Sequence, residues 1–482
     1  MVDSRPVLMV VGLLLVTLAL AMSLPAAVDL LIGHPDWMVF AASSALTLFV
    51  GLALLLGSRM ARPEVAIREV FLLTTLGWVG TATFAALPFA FGAMGLSFTD
   101  AFFEAMSGIT TTGSSVLAAP QDAPPGILLW RALLQWLGGV GVVVMAMTVL
   151  PLLKIGGMQM FRVEAGETHE RAMPRAARVT GTIALVYVLL TAVLALSLGV
   201  AGLGGFDAIV HAMTTISTGG FSTHEASIAH FDNPLAETLV TAGMVVGGMP
   251  FLLVVPLLQG KLRRVLRDDQ LRWYLSLLGL SSLTIGGWLW ASLGMDPLDA
   301  LRHGAFTVAS FMTGCGFFTL DYTTWSGLPL AILFFLTFIG GCAGSTAAGI
   351  KVFRFQVLFA NARVQAARLL RPHAVMIANY NGKPISEGVI DSVMGFLFVY
   401  MLTFAVLAML LGMLGLDFMT AMSAAASAVS NVGPGLTAAI GPTGDYAALP
   451  AAAKWLLSAG MLLGRLEMFT VLVLFVPAFW RD

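Results

Sequence analysis

Four short stretches carry the residue types that could take a cation out of water. They read Ile109-Thr110-Thr111-Thr112-Gly113, Ile216-Ser217-Thr218-Gly219-Gly220, Met312-Thr313-Gly314-Cys315-Gly316 and Val429-Ser430-Asn431-Val432-Gly433. A dehydrated cation needs oxygens in place of its hydration shell, and consecutive backbone carbonyls turned toward one axis supply them. That geometry uses conformations glycine adopts freely and bulky L-residues avoid. The hydroxyls of Thr110, Ser217, Thr313 and Ser430 could add oxygens or brace the loops. Small-residue helix packing is the competing reading of any one stretch. Four stretches with the same neighbours favour a repeat, a ring of four loops around one pore.

Two further places invite chemistry. Residues 340–351 interrupt a hydrophobic run with small and polar residues, among them Gly344, and end at Lys351. They lack the Gly-Lys-Ser/Thr order of a phosphate loop, because Ile350 separates Gly349 from Lys351. Either they form a kinked helix packed on small residues or an unwound segment that restricts a pore from below. Arg465 falls about 14 residues into the last apolar run, where a charge must face protein or water. It reads as a structural ion pair or as a positive charge below the filter, held by carbonyls freed in residues 340–349; Glu467 is placed on another face. His211 and His303 read as packed or surface residues, with no second metal ligand at a useful spacing.

The elements that must position these residues lie in a membrane. The 482 residues are 58% hydrophobic and 11% charged, against about 25% charged in soluble proteins, and mean hydropathy is +0.91. An all-α polytopic membrane protein follows. A net charge of −1 and the absence of a basic block give nucleic acid no handle, and two cysteines give no disulfide framework. Apolar runs near 7–31, 37–57, 69–92, 126–153, 179–202, 235–259, 273–294, 328–358, 388–414 and 451–480 predict ten transmembrane helices. The first two form a hairpin over 1–65. The rest pair into span–loop–span repeats over 66–175, 176–271, 272–385 and 386–482. In each repeat a short amphipathic segment near Asp100, Asp207, Asp299 or Asp417 reads as a re-entrant pore helix, with the Asp as its N-cap. With the N-terminus in the cytoplasm, 21 of the 25 Lys and Arg residues fall inside; both termini are therefore expected there. An enzyme acting on lipid-linked substrates would need a constellation of carboxylates, His or metal ligands that this sequence does not offer.

On these stretches, and on Ser107-Gly108, Asn431-Val432-Gly433-Pro434-Gly435, residues 340–351 and Gly464-Arg465-Leu466-Glu467, the chain resembles the Trk/Ktr/HKT superfamily of cation transporters, its TrkH branch in particular. The extra N-terminal hairpin fits that branch. The third loop departs most, and Gly316-Phe317 matches Gly220-Phe221 in register. The resemblance implies a K+ filter formed by residues 110–113, 217–220, 313–316 and 430–433. Residues 340–351 and Arg465 would be its gate. It further implies potassium uptake across a bacterial inner membrane, a homodimer, and a cytosolic nucleotide-binding regulator of the TrkA type. Sodium-selective plant members replace the first-loop glycine by serine, and Gly113 is retained here, so potassium is expected over sodium. Sodium or weakly selective conduction is the alternative within the same fold.

Overall fold

The computed structural model describes residues 4–58, 66–148, 155–158, 172–371 and 376–481, with Leu153, Met160 and His373. Arg59, Arg62, Lys154, Arg162 and Arg171, five of the charges used to orient the chain, lie outside the described residues. Apolar runs in hydrocarbon satisfy their own N–H and C=O groups as helix, and helices dominate the chain. α1 (Ser4–Ile32) and α2 (Trp37–Gly57) form the N-terminal hairpin. They approach at Gly12, where a Cβ would stand 2.8 Å from the Gly51 carbonyl oxygen.

Four units follow. Unit one holds α3 (Ile67–Ala85) with α4 (Leu87–Phe91), the short α5 (Phe98–Ile109) and α6 (Pro125–Thr148). Unit two holds α7 (Ala172–Val200), the short α8 (Gly205–Ile216), α9 (Pro234–Gly247) and α10 (Phe251–Leu258). Unit three holds α11 (Asp269–Leu293), the short α12 (Pro297–Thr313), α13 (Leu328–Phe338) and α14 (Val352–Leu370). Unit four holds α15 (Glu387–Met413), the short α16 (Phe418–Ser430), α17 (Ala451–Arg465) and α18 (Phe469–Leu472). Between units three and four, β1 (Asn379–Tyr380) and β2 (Lys383–Pro384) pair antiparallel, and an isolated parallel bridge joins Ile339 to Ile350.

Among the described residues seven helices are long and apolar enough to cross a membrane, and nine if each bent pair is one span. The tenth expected span, 328–358, is an 11-residue helix followed by non-helical chain. Interruption is not confined to unit three. α9 and α10 meet at 112°, and α17 and the helical chain after it at 108°. Pro250 caps α10. It lacks the N–H that would carry α9 onward. In unit four the break falls at Glu467 and Met468, both left-handed (φ +62° and +47°) without being glycine.

The caps of the short helices also differ from expectation. Ser97, Gly204 and Asp296 are the N-caps of α5, α8 and α12, so Asp100, Asp207 and Asp299 occupy the third helical position; Asp417 alone is a cap. At that position a carboxylate still complements the helix dipole. Counted from the caps, the loop glycine follows after sixteen residues in units one, two and four and after twenty in unit three. One helical turn is therefore inserted in α12 alone. Arg363 and Arg368 stand exposed on α14, and Arg371 caps its C-terminus.

Candidate ion pathway

All four short helices end in the same hydrogen-bonded turn. The N–H groups of Thr112, Gly219, Cys315 and Val432 donate to the carbonyls of Ser107, Thr214, Ser310 and Ser427 at 2.8, 2.8, 2.9 and 3.0 Å. One residue earlier, Thr111, Thr218, Gly314 and Asn431 donate to Gly108, Thr215, Phe311 and Ala428. This is the double bond pattern of a Schellman C-cap, which requires a left-handed residue. Thr111, Thr218, Gly314 and Asn431 have φ of +52°, +51°, +72° and +51°. Two residues on, Gly113, Gly220, Gly316 and Gly433 are left-handed again, at +88°, +78°, +85° and +102°. The third loop thus runs in register through Gly316. A β-branched threonine in the left-handed region costs about 1–3 kcal/mol, so Thr111 and Thr218 are held there by their surroundings.

The four glycines close a ring. A Cβ on Gly113 would overlap the carbonyl oxygen of Gly219, one on Gly220 that of Cys315, and one on Gly316 that of Val432. On Gly433 it would stand 2.7 Å from that of Thr112. Each glycine therefore faces the residue before the glycine of the next loop, and the fourth returns to the first. The negative ends of four helix dipoles meet at this ring.

Side chains hold the loops from behind. Gln135 of α6 donates from Nε2 to the Gly219 carbonyl (2.6 Å), and its Oε1 accepts from the Phe221 N–H (3.0 Å). The Gly433 carbonyl accepts from Ser114, Ser427 and Tyr446 at 2.9, 2.7 and 2.8 Å. Asn431 Nδ2 donates to Thr112 Oγ1 and to the Met461 carbonyl. The hydroxyls of Thr110, Ser217 and Thr313 turn back to the carbonyls of Met106, Thr214 and Ala309, and Ser430 meets the Tyr400 hydroxyl at 2.6 Å. Of the two roles open to these four hydroxyls, bracing is the one these bonds serve.

Three glycines outside the loops pack on them; Gly464 belongs to a stretch already noted in the sequence, and Gly138 and Gly247 were not singled out there. A Cβ on Gly138 or Gly464 would overlap the carbonyl of Ile109 or Val429, and one on Gly247 would stand 3.2 Å from that of Ile216. Ile109, Ile216 and Val429 occupy the same register, four residues before each loop glycine. The signal available was a glycine recurring in the second helix of a unit. Gly-rich membrane helices are common enough to hide it.

Residues 340–351 are not helical, and all but Gly349 are buried. The segment folds back on itself. Gly340 N–H donates to the Ile350 carbonyl and Ile350 N–H to that of Phe338, both at 2.9 Å. It docks on the break in unit two: Cys342 N–H reaches the Gly248 carbonyl (2.9 Å), and Phe251 N–H reaches that of Gly344 (3.0 Å). Gly344 is left-handed (φ +75°), and a Cβ there would stand 2.9 Å from Met147 Sδ. Lys351 bonds through Nζ to the Ala347 carbonyl.

Arg465 is placed differently from expectation. It is 4% exposed, and its three guanidinium nitrogens have no hydrogen-bond acceptor among the described residues, the carbonyls of 340–349 included. It is the last residue of α17, and Lys351 lies near enough to repel it. Glu467 is the ion-pair partner of Arg354 at the start of α14, and the guanidinium of Arg354 also lies over the Phe396 ring at 3.7 Å. The chain leaves the helix at Leu466, so the spacing rule that set Glu467 apart from the pore charges does not apply there. His211 and His303 are both packed: His211 Nε2 lies 2.9 Å from Ser222 Oγ, and His303 Nδ1 lies 2.9 Å from Thr319 Oγ1.

Comparison with known proteins places this architecture. The chain matches the TrkH family, described as cation transport protein, over residues 37–285 and 291–481. It is 41% identical to the Trk system potassium uptake protein TrkI of Halomonas elongata, covering 99% of this chain and 97% of that one. It is 37% identical to the Trk system potassium uptake protein TrkH of Escherichia coli strain K12, covering 99% of both. The crystal structure of the potassium transporter TrkH from Vibrio parahaemolyticus superposes with a TM-score of 0.92 at 34% identity, over 99% of this chain and all of that one.

Proposed function

The chain belongs to the TrkH family of cation transport proteins, a family of transporters and not of enzymes, and from that premise we propose that it conducts potassium into the cell. The observation that carries this reading is the closed ring in which each loop glycine meets a carbonyl of the next loop. Backbone oxygens of residues 110–113, 217–220, 313–316 and 430–432 replace the water of K+, which is cargo and not a resident cofactor, while the Gly433 carbonyl is already taken by Ser114, Ser427 and Tyr446. Glycine at all four ring positions fits potassium over sodium. The hairpin of α1 and α2 stands outside the pore, and the four units surround it.

Residues 340–351, with Gly344 and Lys351, form the gate under the filter. Arg465 stands beside it as a positive charge that opposes cations. A buried guanidinium with no acceptor among the described residues is tolerated where water reaches it, which supports an aqueous cavity on the gate side. The protein works in a bacterial inner membrane with both termini in the cytoplasm, as a homodimer. The exposed arginines Arg363, Arg368 and Arg371 fit the face turned to a nucleotide-binding regulator of the TrkA type.

The test is uptake by proteoliposomes of the purified chain. Rubidium uptake that sodium competes for poorly is the expected result. Equal uptake of both ions would assign the fold to weakly selective or sodium conduction, and no uptake of either would remove the transport reading.

A further inference from the structure

Thr346 is fully buried in the middle of the gate segment, and its hydroxyl touches the filter. Its Oγ1 lies 3.0 Å from the Ile216 carbonyl oxygen, 3.0 Å from that of Gly247 and 3.3 Å from Thr218 Oγ1. Its N–H donates to the Gly247 carbonyl at 3.2 Å. Gly247 belongs to the same cluster: a Cβ there would stand 2.9 Å from Thr218 Cγ2 and 3.4 Å from Thr346 Oγ1. The last helical residue of α8, the left-handed residue of the second loop, the end of α9 and the gate segment therefore meet at one hydroxyl.

The four left-handed positions are supported unequally. Gly314 needs no support, because glycine adopts positive φ at no steric cost. Asn431 is held by its amide on Thr112 and Met461. Thr111 Oγ1 has no hydrogen-bond partner among the described residues. Thr218 is β-branched at φ +51°, and apart from its bond to its own Ser217 carbonyl its hydroxyl meets only Thr346 among the described residues. A strained residue persists where its surroundings over-determine it, and for Thr218 part of those surroundings is the gate.

We propose that Thr346 is a specificity-determining positioning residue, through which the seated gate segment holds the second filter loop in its selective conformation. Moving the segment withdraws the hydroxyl, so gate position and ion preference are linked. This rests on the reading of the four loops as a filter and adds to it the residue by which loop two senses the gate.

The experiment uses the full chain in proteoliposomes. Thr346→Val keeps the branched shape and removes the hydroxyl. It should lower the rubidium-to-sodium uptake ratio about three- to tenfold, the factor one lost neutral hydrogen bond is worth. Thr346→Ser, which keeps the hydroxyl, should recover most of the ratio. A second arm places Thr346→Val on Thr218→Gly. Glycine needs no support at that φ, so the pair should behave as Thr218→Gly alone. Faster uptake of both ions at the parent ratio would make Thr346 a gate contact only and overturn the proposal. So would a parent-like ratio at parent-like rate, or independent effects in the second arm. If Thr346→Val does not fold, Thr346→Ala is read by the same outcomes. A parent protein without rubidium preference would fail the filter reading itself, before Thr346 is changed.

Discussion

Two demands meet at Gly220. Its φ of +78° excludes most side chains, and any Cβ would overlap the Cys315 carbonyl of the next loop. Gly220→Ser must displace one of the two loops, and strain of about 1–3 kcal/mol should lower the rubidium-to-sodium uptake ratio by about an order of magnitude. An unchanged ratio in a folded variant would exclude Gly220 from the filter. Arg465 poses the opposite problem, a buried charge without a protein acceptor among the described residues. Removing it takes a repulsive charge from the cation path, and each 1.4 kcal/mol of barrier is about a factor of ten in rate. Arg465→Ala should therefore take up rubidium roughly several-fold faster. A folded variant that is no faster would leave Arg465 with a structural part only.

At the scale of elements, the gate segment is tied mainly to the break in unit two, through Gly247, Gly248 and Phe251. Deleting residues 344–347 removes the bonds of Gly344 and Thr346 and shortens the plug. Rubidium uptake in the absence of a regulator should rise, and a fall in a monodisperse deletion would contradict the gate assignment. The loop after the second filter stretch carries a different sensitivity. His224 stacks on His230 with ring centroids 3.6 Å apart, and its Nε2 lies 3.7 Å from Asp207 Oδ1. Partial burial first, and the neighbouring His230 second, hold the His224 imidazole below its ordinary pKa of 6.5. The unfolded chain then takes the proton more readily than the folded one. The stability His224 contributes is full above that ordinary value and is lost as pH falls below it. The thermal midpoint should drop between pH 7.5 and about pH 5.5, and less so in His224→Gln. Equal drops in both proteins would remove His224 as the cause.

Across the whole molecule, every neighbouring pair of units is bonded on the side where the loops open. Arg131 of unit one donates to the Ser222 carbonyl of unit two (3.0 Å), and Arg302 of unit three to Glu237 of unit two (2.8 Å). The Tyr322 hydroxyl of unit three donates to the Gly435 carbonyl of unit four (3.4 Å). Lys454 of unit four closes the circle on Asp100 of unit one (2.5 Å), beside the stacked rings of Trp455 and Phe102. Lys454 is nearly buried and Asp100 about a quarter exposed, so solvent screens part of this pair. Lys454→Ala should cost about 1–2 kcal/mol and lower the unfolding midpoint in detergent by roughly one or two degrees. An unchanged midpoint would show that the ring closes without this pair.

Repetition and hydropathy made much of this chain legible from its residues alone. Four hydroxyl-and-glycine stretches, each between apolar runs, predicted four units and pointed to Gly113, Gly220 and Gly433, while in the third loop only the match of Gly316-Phe317 to Gly220-Phe221 favours Gly316 over Gly314. These patterns are local, set by which residues tolerate positive φ or hydrocarbon. The same local reasoning put the caps at Asp100, Asp207 and Asp299; the side chains of Ser97 and Asp296 take the cap bonds of α5 and α12 instead, and Gly204 caps α8 without any side chain. It missed the break at Glu467 and Met468, where no Gly or Pro announces a bend. It also gave Arg465 hydrogen-bond acceptors that it does not have among the described residues. What the tertiary structure alone decided is which groups meet across units: Gln135 on Gly219, Ser114 on Gly433, Arg354 on Glu467, Thr346 on Thr218. Such contacts join residues 84 or more positions apart in all four pairs. They depend on how four units pack around one axis, which no spacing along the chain encodes.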